Sequence, residues 1–517
     1  MSTVGTEPKP APGAAGAAAT PSETPREAAA GWRGGPGLWL GAGAFLLILL
    51  LPTPAGLSPE GQRVAAVAAL MATWWMTEAI PLPATSLLPI ALFPALGVMS
   101  AGEATAPYAN HVIFLYLGGF LIALAMQRWG LHRRIALGVV ALVGTAPRRL
   151  VLGFMLATGF VSAWMSNTAT VVMMLPIALA ILALLEEDGT GPLGAALMLG
   201  VGYAASIGGV ATLVGTPPNA IFAAAAEEIL GRDIGFVEWM YVGVPFALVM
   251  LFASWFVLAR VLFRLPAGTA ADAAARAMVR EQRAALGRMR AGERVVAIVF
   301  LATAAAWIMG GPKTIAGVTI PGIATFLPRV ADSTIAIVGA LALFLIPVAT
   351  DDGRRVPVLD WDTAVQVPWG VLLLFGGGLS LARGFEISGL SAWIGGSVGY
   401  LSTLPDVGII AAVVTLFTFL TELTSNTATA TMGMPILAGI AAGVGADPLT
   451  LMAAAALASS MAFMLPAATP PNAIVFGTGR VTIRQMVRAG IWLNGIAIVL
   501  VTLTVYFGII GVFGTEG

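Results

Sequence analysis

Two five-residue segments with identical letters interrupt long apolar stretches of this chain. Residues 166–170 and 425–429 both read SNTAT. Serine, asparagine and threonine are costly in a hydrocarbon environment unless their polar groups find partners. At the tip of a helical hairpin they can cap the second helix and leave amide hydrogens and side-chain oxygens facing a cavity. Such residues favour binding of an ion or a small polar solute.

A second pair of segments combines proline with the same polar types. Residues 215–221 read GTPPNAI and residues 468–474 read ATPPNAI. Because proline removes a donor and strains the preceding turn, each segment predicts a broken helix with free carbonyl groups. Carbonyl oxygens can ligate a hard cation, whereas amides and hydroxyls can hold an anion. One site built from these parts can bind both.

The composition places these segments in a membrane. Hydrophobic residues make up 58% of the chain, charged residues 10%, and the mean hydropathy is +0.91, which is far outside the soluble range. The formal net charge is zero, so nothing favours a nucleic-acid partner. Cysteine is absent. Neither His111 nor His132 lies near a glycine-flanked serine or a suitable acid, so we expect no enzyme activity.

Apolar runs of roughly 20 residues, the length that spans a bilayer, predict an all-α polytopic membrane protein. Residues 1–35 cannot bury enough apolar surface to fold and are predicted to be a disordered tail. The hairpins 150–185 and 404–444, each with SNTAT at its middle, are predicted to be re-entrant. The predicted crossings, about eleven, are 36–53, 62–80, 82–99, 111–130, 194–229, 237–263, 294–311, 333–350, 367–385, 448–479 and 488–513.

Arginine clusters set the expected orientation. They all fall on one side only if each SNTAT stretch enters and leaves by the same face. This predicts a multi-pass protein of the cytoplasmic (inner) membrane with the N-terminus inside, the C-terminus outside and an Arg-rich cytoplasmic loop at 264–293. Glu78 is expected to be a satisfied carboxylate at the cytoplasmic interface.

The paired motifs belong to an internal duplication. The SNT letters repeat at an offset of 259 residues, residues 117–131 align with 376–390 at the same offset, and the TPPN letters repeat at 253. Five predicted crossings separate the copies, so the second is predicted to be inverted, as in secondary transporters. A channel is disfavoured because channels usually repeat about an axis normal to the membrane.

The charge pattern around the motifs favours cation coupling. No Lys, Arg or His occurs between Arg149 and Arg232, or from Leu390 to Gly479. An anionic substrate there would lack a protein counter-charge, which bound Na⁺ can supply. Glu422, inside the second hairpin, has either a direct role or a structural capping role.

Four motifs in this order resemble the divalent anion/sodium symporter family, DASS, which carries di- and tricarboxylates and sulfate. They are WWMTEAIPLPATSLLPIALFP at 74–94, PWGVLLLFGGGLSLA at 368–382 and the two motif pairs. The resemblance implies a homodimer in which a transport domain moves as an elevator against a scaffold. The scaffold would comprise 36–135 and 294–403; the transport domain would comprise 136–263, with broken helix 194–229, and 404–513, with broken helix 448–479.

The resemblance also implies ligands. It assigns one Na⁺ to Ser162, Asn167 and carbonyls near Ala211 and Gly215, and a second Na⁺ to Thr421, Asn426 and carbonyls near Thr424 and Ala468. Thr427 favours a C4-dicarboxylate such as succinate, malate or fumarate, although a Na⁺-independent dicarboxylate exchanger and a citrate or sulfate carrier stay open. The substrate would meet Ser166, Asn167, Thr168, Thr216, Ser425, Asn426, Thr427, Thr469 and Pro470.

Overall fold

The first part of the chain builds a helical layer that begins with an apolar helix. The computed structural model describes residues 35–185, 191–268, 272–311, 313–315, 318–350 and 353–509, so almost all of the predicted tail lies outside the described residues. The first helices are α1 Pro36–Leu50, α2 Pro59–Thr77, α3 Leu82–Thr85, α4 Leu88–Ala95, α5 Ala101–Thr105 and α6 His111–Trp129.

The stretch 82–99, predicted as one crossing, is not one continuous helix. This stretch forms the two short helices α3 and α4, and the chain turns between them at Ser86 and Leu87. Pro81, Pro83 and Pro89 lie at or just inside the starts of these helices, where proline is tolerated because the first helical N–H groups have no intrahelical partner. The hydropathy of this stretch did not reveal that these prolines divide it into two helices.

The next segment contains the first hairpin and the first broken helix. The helix bounds match the predicted breaks, since α8 and α9 meet at the SNTAT segment and α10 and α11 meet at the GTPPNAI segment. A short helix not predicted from the sequence, α7, precedes them. The helices are α7 Leu131–Val143, α8 Pro147–Ser162, α9 Asn167–Leu185, α10 Pro192–Gly209, α11 Pro217–Leu230 and α12 Phe236–Phe256, which continues as a π turn over Val257–Leu262.

The connection predicted as a loop at 264–293 contains a helix, α13 Asp272–Ala285. The segment that follows adds two small antiparallel sheets to the helices of the described residues. Its elements are α14 Ala291–Ile308, β1 Lys313–Ile315, β2 Val318–Ile320, α15 Ile323–Phe326, α16 Asp332–Leu345, β3 Pro347–Ala349, β4 Arg355–Pro357 and α17 Trp361–Ala364.

The last segment repeats the element order of α6–α12. A long helix is followed by a short one, a hairpin, a broken helix and a long helix that ends in a π turn. The elements are α18 Trp369–Ile387, α19 Leu390–Val398, α20 Asp406–Leu423, α21 Asn426–Val444, α22 Pro448–Ser459, a 3-10 turn Pro466–Ala468, α23 Pro470–Gly477 and α24 Ile483–Leu503, with its π turn Thr504–Ile509.

The two repeats contact each other reciprocally. Helix α10 packs on α23 while α22 packs on α11, and α9 packs on α23 while α21 packs on α11. Such paired contacts are those of two units related by a two-fold axis. Every residue of α10 from Leu193 and of α22 from Leu449 is buried, so the first arms of both broken helices form the centre of the core.

Eight of the described helical stretches are long and apolar enough to cross a membrane by length and composition. They include α6, α10, α12 and α24, while α1, α9, α16 and α22 are shorter apolar helices. The chain is thus a predominantly helical polytopic membrane protein, as its composition predicts.

Candidate substrate and cation sites

The helix breaks place the SNT residues at helix starts. Helix α8 ends at Ser162 and α9 begins at Asn167, while α20 ends at Leu423 and α21 begins at Asn426. Ser425 is the extended residue before α21, and its side chain makes no capping hydrogen bond. Its hydroxyl therefore does not cap α21, unlike the usual role of serine at this position, and stays available to a ligand.

The asparagine of each TPPN motif holds a helix break in place. The Nδ2 of Asn219 donates to the carbonyls of Gly209, Val210 and Thr212 at 2.8–3.3 Å. The Nδ2 of Asn472 donates to the carbonyls of Ala462 and Leu465 at 3.0 and 3.1 Å. Both asparagines are fully buried. Sequence reasoning quoted these letters but assigned them no role.

One cavity of about 1010 Å³ lies where the four breaks meet, a size typical of small-molecule sites. The structure brings all nine predicted substrate residues together around it, and the predicted cation residues Gly215, Thr424 and Ala468 also line it. The nine are Ser166, Asn167, Thr168, Thr216, Ser425, Asn426, Thr427, Thr469 and Pro470.

Helix starts surround this cavity. Asn167, Pro217, Asn426 and Pro470 are the first residues of α9, α11, α21 and α23, and all four line it. Each helix N-terminus carries the equivalent of roughly half an elementary positive charge, together with unpaired N–H groups. Four of them offer on the order of two charges, which matches a doubly charged anion.

The cavity is also lined by residues that the sequence did not predict as part of the site. These residues lie on α2, α3, α6 and α18 and are mostly apolar: Met76, Thr77, Leu82, Tyr116, Phe120, Pro368 and Val371. WWMT and PWGV, two segments of the quoted motifs, contain four of them, so the signal was present in the sequence. Helix starts with polar side chains and mostly apolar residues of these other helices thus line the same cavity.

Glu78 places a carboxylate at the cavity. It is the only ionisable side chain, apart from Tyr116, among the described residues that line the cavity. It ends α2 in the left-handed conformation, with φ 47° and ψ 38°, which is uncommon for a residue other than glycine. The carboxylate is exposed and has no hydrogen bond or ion pair within the described ranges, so water solvates it; its place at the cytoplasmic interface stays a prediction.

A cluster of oxygen atoms lies behind the first SNT segment. The Ser162 hydroxyl donates toward both Asn167 Oδ1 and the Ala205 carbonyl, each at 2.7 Å. One hydroxyl hydrogen cannot fully serve two acceptors. With its amide turned over, Asn167 would instead donate to Ser162 and to the carbonyls of Ala205 and Gly215. Ser162 is fully buried.

Two glycines let the backbone close around this cluster. A Cβ added to Gly209 would lie 2.6 Å from Asn167 Oδ1 and 3.0 Å from the Gly215 carbonyl. A Cβ on Gly215 would strike the Gly209 carbonyl and lie 3.0 Å from that of Ala163. Hydroxyl, amide and carbonyl oxygens are the ligands of hard cations, so the donor set fits Na⁺. The Ala211 carbonyl lies near Gly243 of α12.

The second SNT segment has an equivalent cluster. The Thr421 hydroxyl donates toward Asn426 Oδ1 at 2.7 Å and the Ser459 carbonyl at 2.8 Å. The hydroxyl of Thr424 donates to the Leu420 carbonyl and contacts that of Thr429. Thr421 and Asn426, both predicted for the second cation, are thus adjacent. The full ligand set of each cation stays a prediction.

Glu422 has a structural role in this arrangement. Its carboxylate accepts hydrogen bonds from the backbone N–H groups of Phe463, Met464 and Leu465 and from Asn494 Nδ2, at 2.7–3.2 Å. It is 4% exposed and does not line the cavity. Charge-assisted bonds of this kind are strong, so Glu422 fixes the turn that follows α22.

Known proteins share this architecture. Residues 38–513 match the family described as sodium:sulfate symporter transmembrane region. The chain belongs to this family. Among curated relatives of this symporter family member, the sodium-dependent dicarboxylate transporter SdcS of Staphylococcus saprophyticus is 43% identical over 493 residues, covering 93% of this chain and 92% of that protein. The SdcS of Staphylococcus aureus strain bovine RF122 is 42% identical over 491 residues, covering 91% and 90%.

Solved structures similar to this symporter family member show the fold at low sequence identity. The YdaH transporter of Alcanivorax borkumensis matches with a TM-score of 0.55 and 16% identity, covering 87% of this chain and 99% of that one. MtrF of Neisseria gonorrhoeae matches with a TM-score of 0.53 and 13% identity, covering 92% and 96%. The chain is a transporter rather than an enzyme.

Proposed function

We propose that this protein couples Na⁺ entry to the uptake of C4-dicarboxylates such as succinate, malate and fumarate across the cytoplasmic membrane. The observation that carries the proposal is the joint cavity, in which polar residues of both repeats and four helix starts surround one space. The sodium-dependent dicarboxylate transporters named above, to which the chain is similar over nearly its whole length, support the same substrates.

The chemistry of the cavity suits a dianion. The substrate carboxylates accept hydrogen bonds from the hydroxyls and amides of the two SNT segments and from Thr216 and Thr469. No Lys, Arg or His among the described residues lines the cavity, so fixed dipoles offset only part of the charge. Na⁺ held in the two oxygen clusters, each sharing an SNT asparagine with the cavity, supplies the rest. Substrate and cation binding are thereby coupled.

The transport cycle that we propose is an elevator movement. The two hairpins and broken helices move as one transport domain, and α1–α6 with α14–α19 form the scaffold, which supplies the mostly apolar residues of the cavity lining. The halves are inverted repeats, with an N-terminus inside, a C-terminus outside and two Na⁺ sites per protomer of a homodimer. The reciprocal packing of α10, α11, α22 and α23 supports the two-fold relation.

The test is uptake of radiolabelled succinate into proteoliposomes. Three conditions are compared: an inward Na⁺ gradient, an inward K⁺ gradient, and vesicles preloaded with unlabelled succinate without Na⁺. We expect uptake only with the Na⁺ gradient. Uptake that needs internal succinate and ignores Na⁺ would identify an exchanger. Competition by sulfate or citrate but not by malate or fumarate would overturn the substrate class.

A further inference from the structure

A second cavity lies apart from the substrate cavity, between α7 and α13. Its volume is about 550 Å³, and four arginines line it together with small and apolar residues such as Ala141 and Val279. No carboxylate lines it among the described residues. The arginines are Arg134, Arg276, Arg280 and Arg283. The cavity is therefore strongly basic.

The sequence of α13 builds this surface. Ala275 and Val279 are buried against the neighbouring helices, and the Thr145 hydroxyl donates to the Asp272 carbonyl at 3.1 Å, which fixes the helix start. Because these contacts fix the orientation of α13, residues of α13 that are four and three positions apart lie on one face of the helix. Arg276, Arg280 and Arg283 have that spacing and all line the cavity.

One of the four arginines is already paired. Arg134 donates from Nε to Glu293 at 2.8 Å, and its remaining nitrogens donate to the carbonyls of Leu286 and Gly287. Arg276, Arg280 and Arg283 are exposed and make no ion pair or hydrogen bond within the described part of the chain. Like charges at this spacing are destabilising. The three guanidinium groups are thus available to bind an anion.

An exposed leucine on α7 bears on which anion the cavity takes. Leu142 does not line the cavity but follows the lining residue Ala141 in α7 and is 88% exposed, and an exposed leucine on a membrane protein is a surface for acyl chains. Guanidinium groups match phosphate oxygens in geometry and charge. Free phosphate would use only the arginines, whereas a phospholipid would use both the arginines and the leucine.

We propose that the cavity between α7 and α13 binds the headgroup of an anionic phospholipid. Arg276, Arg280 and Arg283 hold its phosphate, and its acyl chains lie along α7 past Leu142. Helix α13 also packs on α9, the second arm of the first hairpin. The bound lipid therefore stabilises α13, which contacts both α7 and this hairpin.

Lipid binding to the purified full-length protein tests the proposal without reference to transport. Native mass spectrometry compares phosphatidylglycerol with phosphatidylcholine, with inorganic phosphate added in a third arm. The cavity variant replaces Arg276, Arg280 and Arg283 by glutamine. The matched control replaces Arg288, Arg294 and Arg484, three exposed arginines that do not line the cavity, so that both variants lose the same charge.

We expect wild type and control to bind one phosphatidylglycerol in preference to phosphatidylcholine, and the cavity variant to bind it about a hundredfold more weakly. Equal binding by the cavity variant and the wild type would overturn the site. Displacement of the lipid by millimolar inorganic phosphate, with no preference between the two lipids, would show a site for free anions instead. If the triple variant does not fold, Arg280→Gln alone is expected to weaken binding about fivefold.

Discussion

The two repeats keep the same polar groups around the cavity but support them differently. Ser162 with Asn167 in the first repeat matches Thr421 with Asn426 in the second, down to hydroxyl–amide distances of 2.7 Å. The turn after the buried arm is held by a buried carboxylate, Glu422, only in the second repeat. At the aligned position of the first repeat stands Ala163, whose carbonyl accepts a hydrogen bond from Thr212.

The backbones also approach each other more closely in the first repeat. Gly209 and Gly215, which close the first oxygen cluster, align with Ala462 and Ala468 in the second repeat. A methyl group is therefore accommodated at one cluster and excluded at the other. The difference teaches that the polar groups around the cavity are shared, while the structure behind them has diverged.

The largest expected effect tests the shared groups. Asn167→Ala and Asn426→Ala should each reduce Na⁺-driven succinate uptake about a hundredfold, because each removes an oxygen from a cation cluster and a donor from the cavity at once. Uptake into proteoliposomes measures this. Thr415→Ala, which removes a hydroxyl bonded only within its own helix, is the control. Near-normal uptake by either asparagine variant would show that the repeats are not equivalent.

The next largest effect, on the Na⁺ dependence of uptake, tests the difference between glycine in the first repeat and alanine in the second. Gly215→Ala should raise the Na⁺ concentration for half-maximal uptake about tenfold, because the added methyl group strikes the Gly209 carbonyl and crowds that of Ala163. Ala468→Gly, the reciprocal change, should stay within about twofold of wild type. The Na⁺ dependence of uptake measures both variants. Equal effects would contradict the closer packing of the first cluster.

A smaller effect, on stability, compares the Glu422 carboxylate of the second repeat with the Thr212 hydroxyl of the first. Glu422→Gln should destabilise the protein by about 2 kcal/mol, since it replaces a charged acceptor of several N–H groups by a neutral one. Thr212→Val, which removes the hydroxyl that supports the first repeat, should cost about 1 kcal/mol. Thermal unfolding in detergent measures the order of the two. A larger loss for Thr212→Val would reverse our interpretation of the carboxylate.

Sequence patterns predicted the parts of the fold that repeat. Identical letters at offsets of 259 and 253 residues located both hairpin tips and both helix breaks, because proline and small polar residues have few roles in an apolar stretch. The family resemblance implied nine substrate residues, and the structure brings all nine to one cavity. Which oxygens bind each cation does not follow from the letters, since backbone carbonyls carry no sequence signal.

The parts that could not be predicted lack such signals. Helices α7 and α13 have one apolar face and several arginines, so a search for uniformly apolar runs passes over them. Asn219 and Asn472 belong to the quoted motifs, yet only the folded turn shows that their amides point inward to carbonyls. That Glu78 lines the cavity was not predicted, because the direction of a side chain after a helix end depends on its backbone conformation, which is left-handed here.

The cavity-lining residues that lie outside the hairpins and broken helices also differ between the two halves, and this gives the smallest expected effect. Those of the first half include the Glu78 carboxylate, whereas those of the second, Pro368 and Val371, carry no charge. Because a carboxylate repels an approaching dianion, Glu78→Gln should lower the KM for succinate about twofold at low ionic strength, with a smaller change at high salt. Choline chloride can vary the ionic strength at constant Na⁺.

A matched carboxylate distinguishes this local effect from a change in net charge. Glu60 lies on the same helix, pairs with Arg63 at 3.8 Å and does not line the cavity. Glu60 precedes Glu78 by 18 residues, about 27 Å of helix, so Glu60→Gln should leave the KM unchanged at 0.1 M salt, where the Debye length is about 10 Å. A raised KM in Glu78→Gln would mean that the carboxylate attracts Na⁺ more than it repels the substrate, and Glu78 would then belong to the cation pathway.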